Sequence, residues 1–161
     1  MTPQQALARL QVQCSRSEQC SGQVRRKLQR WSDAQMMKGL AGFTNGQIEE
    51  IIASLVQDRF VDDARFSGAY VRDKAKFSGW GALKIAYQLK ALGVDASVVQ
   101  QALADNQEVF DNGSLEKLLR KKWDSLKKDL AMQQKREKVL RFAVSRGFSY
   151  VQIMDIIKNF K

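Results

Sequence analysis

The chain is 161 residues long, carries 27 lysines and arginines against 17 acidic residues, and contains two cysteines and no histidine. That length supports a hydrophobic core without metal or disulfide staples, and two thiols without histidine leave no ligand set for a zinc centre. A formal charge of +10 favours a polyanionic partner through long-range attraction and counterion release. No stretch approaches the ~18 apolar residues of a membrane span, and residues 1–14 do not read as a secretory leader. A cytoplasmic location with reduced Cys14 and Cys20 is therefore expected.

Thr2 is placed to cap a first helix, with Pro3 at its first position and Gln5 closing a capping box. Ala6, Leu7 and Leu10 follow at helical spacing, which predicts a helix from about Pro3 to Cys14. Ser17 is the expected cap of a second helix, apolar at Val24, Leu28 and Trp31 and basic at Arg25, Arg26, Lys27 and Arg30. Next come Gly42, apolar Phe43, the cap Thr44 and its box partner Gln47, with Ile48, Ile51, Ile52 and Leu55 inward, predicting a helix over Asn45 to Gln57.

Asp62 is the expected cap of a helix carrying Phe66, Ala69 and Tyr70. Gly79 and Gly81 separate it from another with Leu83, Ile85, Ala86, Leu89 and Leu92. Past Gly93 the pattern seen at Gly42 returns with Val94, Asp95 as cap, Val99, Ala102 and Leu103. Ser114 is the expected cap of a helix whose apolar side carries Leu115, Leu118, Leu119, Trp123, Leu126 and Leu130. A further helix bears Val139, Leu140, Phe142 and Ala143. After Gly147 the pattern appears a third time, with Phe148, Ser149 as cap, Gln152, Ile153, Ile156 and Ile157.

The three glycines stand 51 and 54 residues apart, a period that marks a tandem helical array. Each is expected to end the preceding helix in the left-handed region. The fold class expected is all-α: three three-helix repeats over residues 1–59, 60–111 and 112–161, elongated or curved.

Catalytic chemistry finds no constellation. General acid–base work needs positioned ionisable groups; histidine is absent, and Asp62, Glu49 and Glu50 read as helix-start residues. Asp63 is expected against Arg65 or Arg72. Gly79 and Gly81 lack the strand and motif of a phosphate loop. Trp31 and Trp123 are expected in the core, Trp80 either exposed or packed in the elbow between helices. No cofactor, metal or enzymatic activity is expected.

Basic patches carry more functional weight. Between residues 115 and 147 stand eleven basic residues against four acidic ones. On the helix of Trp123, Lys117, Arg120, Lys121, Lys127 and Lys128 are expected to share a face suited to phosphates or acidic groups. Lys138, Arg141 and Arg146 follow, and Arg25, Arg26, Arg30, Arg72 and Lys84 are further candidate contacts.

With these residues in place, the chain resembles the RecX family, bacterial regulators of the RecA recombinase. The resemblance rests on Phe60, Val61, Asp62, Asp63, Ala64, Arg65 and Phe66 with Val71 and Arg72, and on Gly79, Trp80 and Gly81 leading to Ile85, Leu89 and Gly93. It also rests on Leu140, Arg141, Phe142, Ser145, Arg146, Gly147, Phe148 and Ile153, with Ser17, Arg26, Lys27 and Leu28 near the start. Arg59 stands where the family commonly has glycine, Ala82 where it has proline, and the segment Asp111–Leu115 lacks the usual tryptophan.

The resemblance implies a monomeric, non-enzymatic protein that binds the RecA filament on DNA and inhibits its growth, stability, strand exchange or coupled ATPase activity, within DNA repair and the SOS response. Direct DNA contact is a further property it allows. The alternative is a freestanding helical nucleic-acid-binding protein acting through its basic surface.

Overall fold

In a computed structural model describing residues 1–161, the chain forms nine α-helices, one turn of 3-10 helix and no strand. The helices are α1 (Pro3–Arg16), α2 (Ser21–Met36), α3 (Asn45–Gln57), α4 (Asp63–Phe77), α5 (Ala82–Ala91), α6 (Ala96–Asp105), α7 (Asn112–Ser125), α8 (Met132–Ser145) and α9 (Tyr150–Ile157). The 3-10 turn covers Gln107–Phe110. The helix-period reading of the sequence is thus the observed one, and Ile48, Val99 and Ile153 are all buried.

The chain packs as two compact units, one of residues 1–67 with 89–99 and the other of residues 68–88 with 100–161. In the first, Ala6, Leu10 and Cys14 from α1 meet Val24 and Leu28 from α2 and Ile48, Ile51, Ile52 and Leu55 from α3. In the second, Leu115, Leu119 and Trp123 recur every fourth residue along α7 and close on Val139, Ala143, Ile153, Ile157 and Phe160. Trp123 meets Phe160 edge-on at 5.4 Å between ring centres. Trp31 is half-buried against the first core, with the Arg9 guanidinium 4.8 Å over its ring.

Several helix starts follow the expected grammar. Thr2 and Thr44 accept from the backbone N–H of Gln5 and Gln47, whose side chains accept in return from the backbone N–H groups of Thr2 and Thr44. Ser149 accepts from Gln152 N–H at 3.2 Å and Asp62 from Arg65 N–H at 2.9 Å. Two expected caps are corrected. Ser17 ends α1, and α2 begins after Cys20, whose N–H donates to the Gln23 side chain. Asp111, not Ser114, caps α7, accepting from Ser114 N–H at 2.6 Å. At α7 the Asp111 carboxylate, three positions before the Ser114 N–H, is the acceptor; at α2 the extended chain from Ser17 to Cys20 delays the helix, and the Cys20 side chain does not cap it.

The glycine pattern holds in two of its three places. Gly93 and Gly147 have φ of 93° and 96°, as chain reversal after a helix requires. Near Gly42 the left-handed residue is Gly39, at φ 72°; Gly42 serves close approach, since a Cβ there would stand 2.5 Å from Ser32 Oγ and 3.0 Å from Met36 Cγ. Arg59, in the family's glycine position, is the only non-glycine residue with positive φ, at 59°. On α5, Ile85 and Leu89 form the buried stripe, one turn apart, and Leu83 lies off it, 60% exposed.

Candidate partner-binding surface

The basic residues fall into two classes once their surroundings are known. On α2, Arg25 grips Glu49 of α3 through two hydrogen bonds of 2.9 Å, and Arg26 donates to the carbonyl of Ala91 at the end of α5. The bond from Arg25 holds the Glu49 carboxyl below its ordinary pKa. Arg30 is exposed. Arg25 and Arg26 therefore tie the first unit together, with Arg30 left outward.

Arg65 and Arg72 are also occupied, by partners other than the expected ones. Arg65 pairs with Glu18 at 2.7 Å and donates to the Arg59 carbonyl. Arg72 donates to the Asn106 side chain at 3.1 Å. The Asp63 carboxylate turns instead to the start of α2, accepting from Ser21 N–H at 2.7 Å and from the Ser21 hydroxyl at 2.5 Å. Sequence reading missed this because Ser21 and Asp63 are 42 positions apart and no local pattern links them.

In the second unit, Lys117, Arg120 and Lys121 are exposed on α7, opposite its buried leucine and tryptophan stripe. Arg120 lies 3.9 Å over the Phe160 ring and 3.9 Å from the Glu116 carboxylate. Lys127 and Lys128 are exposed but lie beyond α7, which ends at Ser125 with Leu126 as its C-cap; the expected shared helical face is therefore shorter, and its last two cations belong to the following turn. The stop is physical, since the Leu126 backbone is extended, at φ −79° and ψ 154°. Lys138 and Arg141 are exposed on α8.

Four cations of the run turn inward. Lys122 lies over Phe142 and Lys135 over Trp123; Arg136 has its Nε sealed from solvent; Arg146 donates to the Ser78 carbonyl at 3.1 Å and covers Phe142. Lys84 stands 4.4 Å over the Trp80 ring, which is half-buried in the elbow between α4 and α5. Beside α7 an apolar cleft of about 490 Å³ is walled by Trp80, Val109, Phe110, Leu118 and Phe148, with Lys76, Lys117 and Lys121 among its cations.

Of the motif glycines, Gly79 serves the turn, with φ of 64° and nothing within 4 Å of a Cβ, whereas Gly81, Gly93 and Gly147 are packing elements. A Cβ on Gly81 would stand 2.5 Å from the Gly147 carbonyl carbon and 2.8 Å from the Phe148 nitrogen. A Cβ on Gly22 would stand 2.7 Å from Gly93 Cα. Phe66 is buried and Phe148 half-buried. Both cysteines are free and buried, and burial raises their thiol pKa values. No group of three metal-binding side chains gathers anywhere, and no helix is long and apolar enough to cross a membrane.

Fold and surface together define an all-helical protein of repeated three-helix units with an exposed basic face. Two family models match it: the second three-helix domain of RecX over residues 62–103 and the third over residues 113–157. The chain is 33% identical to the regulatory protein RecX of Chromohalobacter salexigens over 125 residues, covering 76% of this chain and 79% of that one. It is 33% identical to the RecX of Serratia proteamaculans over 113 residues, covering 70% and 65%. Against that relative and those of Clostridium botulinum and Geobacillus thermodenitrificans it spans 65%, 56% and 44% of their length. The crystal structure of RecX from Lactobacillus salivarius superposes with a TM-score of 0.81 over 97% of this chain and 94% of that one, and at 20% identity this likeness speaks for the fold. The chain belongs to the RecX family of regulatory proteins.

Proposed function

We propose that the chain regulates the RecA recombinase by binding its filament on DNA, mainly restraining filament assembly or stability and with it strand exchange and coupled ATPase activity. Membership of a family whose curated members are regulatory proteins carries this reading. The exposed cations Lys117, Arg120, Lys121, Lys127, Lys128, Lys138 and Arg141 support it, because a basic face steers toward acidic protein surface and phosphate alike. Several modest contacts on one repeat protein raise one another's effective concentration along a polymer of identical subunits.

On this reading the chain acts as a cytoplasmic monomer and contributes no catalysis; nucleotide hydrolysis belongs to the recombinase. Titration against recombinase alone, DNA alone and the assembled filament tests it. Preference for the assembled filament is the expected outcome. Equal affinity for naked DNA and filament would replace it with the reading of a freestanding nucleic-acid-binding protein.

A further inference from the structure

We propose that the stretch from Lys74 to Tyr87 is a binding site for single-stranded nucleic acid, with bases stacking on Phe77 and Tyr87 and phosphates held by Lys74, Lys76 and Lys84. The inference deepens the filament reading by assigning a strand contact, and it is tested on the chain alone so that the two can fail separately.

The composition of this stretch is one-sided. Residues 74–88 contain three lysines and three aromatic residues and no aspartate or glutamate. All of them lie in the second compact unit, at the end of α4, in the elbow and on α5. Phe77 is 76% exposed and Tyr87 71% exposed, and only Tyr150 among the other aromatic residues is comparably open. Two large aromatic faces left in water within one fifteen-residue stretch, at the end of α4 and on α5, are a feature that burial of apolar surface does not explain.

The cations are arranged around the rings rather than around carboxylates. Lys74 and Lys84 converge on the single Trp80 ring, at 4.8 and 4.4 Å from its centre, and Lys76 lies 5.4 Å from the centre of Phe77. The salt bridges of the molecule are elsewhere, at Arg25–Glu49, Arg65–Glu18, Arg120–Glu116 and Lys158–Asp155. Cation–π attraction positions an ammonium group but leaves its charge uncompensated. Two like charges gathered at one indole thus favour an anion between or beside them.

Tyr87 stands one turn beyond Lys84 and Leu83 on α5, so its ring shares the helix surface that carries the Trp80-bound lysine. Exposed rings together with cations that rest on rings rather than on carboxylates match the bases and phosphates of a strand whose bases are unpaired. A duplex hides the faces of its bases. An acidic peptide would satisfy the lysines and leave the two open rings unused.

The test is fluorescence anisotropy with a fluorescein-labelled oligothymidylate and, in parallel, an abasic deoxyribose-phosphate strand of the same length. The parent protein should prefer the oligothymidylate. The double variant Phe77→Ala/Tyr87→Ala removes only exposed side chains, so its helical circular dichroism should be kept, while its oligothymidylate affinity falls about tenfold or more and its preference over the abasic strand disappears. Replacing Lys74, Lys76 and Lys84 together with alanine should flatten the slope of log affinity against log salt by about 2. No preference for bases in the parent, or unchanged affinity in the folded aromatic variant, overturns the site. So does an aromatic variant that keeps oligothymidylate affinity but loses the recombinase filament, which would make the patch a protein contact. Loss on the oligonucleotide with no filament binding by the parent would support the site and sink the filament reading.

Discussion

The backbone N–H of Gly81 donates to the carbonyl of Arg146 at 2.7 Å, directly beside Gly147, and neither glycine leaves room for a methyl group at the junction. Gly22 and Gly93 make the corresponding approach in the first unit. Gly81→Ala and Gly22→Ala should each destabilise by at least about 1–3 kcal/mol, because the obstructing atoms are backbone. Urea midpoints check this, with Gly46→Ala as the control: that position is exposed on α3 and meets only Thr44 Oγ1 at 3.8 Å, so it should be neutral or slightly stabilising.

Arg59 holds a left-handed backbone conformation that costs a side-chain-bearing residue about 1–2 kcal/mol. Arg59→Gly should raise stability by up to about 1 kcal/mol, the gain being reduced by glycine's greater freedom in the unfolded chain. Thermal denaturation of the variant is the measurement. A fall in melting temperature would show that the Arg59 side chain contributes more than its backbone strain removes.

Asp63 supplies α2 with an acceptor for the Ser21 N–H that no local residue provides. Asp63→Ala should therefore cost about 1–2 kcal/mol, within the range of a lost helix cap. Ser21→Ala keeps the backbone bond and should cost less, so the order of the two melting temperatures distinguishes a cap from a simple side-chain pair.

The thiols of Cys14 and Cys20 are held above their ordinary pKa of 9.0 by burial. A raised folded pKa contributes stability that is fully present below the unfolded value and is lost as pH rises through the folded one. Stability should accordingly decline above about pH 9, and Cys14→Ser/Cys20→Ser should abolish that part of the decline. Native protein should react slowly with a thiol reagent at neutral pH and fast once unfolded.

Helix positions and inward faces were legible because they rest on the 3.6-residue period and on caps within three positions, as at Thr44–Gln47 and Ser149–Gln152. Cys20 and Asp111 escaped because several polar residues compete at a helix start and the choice between them is made by chain entry. The surface was legible as a charge excess only. Which cations face outward depended on tertiary partners such as Glu49 for Arg25, Ser78 for Arg146 and Trp123 for Lys135, all distant in sequence. The packing role of Gly81 and Gly22 was hidden for the same reason, since their partners, Gly147 with Phe148 and Leu92 with Gly93, lie in turns far along the chain.

The account places its main electrostatic grip on the exposed cations of α7 and the turn after it, and filament affinity measured across several salt concentrations tests that most directly. Changing Lys121, Lys127 and Lys128 together to glutamate should leave the helical circular-dichroism signal intact, since all three side chains are exposed. Affinity for the assembled recombinase filament should fall about tenfold or more, and its salt dependence should flatten. The matching change at Arg25, Arg26 and Arg30 should do less to binding at constant fold, although loss of the Arg25–Glu49 pair will lower stability somewhat. Equal affinity of the folded α7 variant and the parent at every salt concentration would contradict the account.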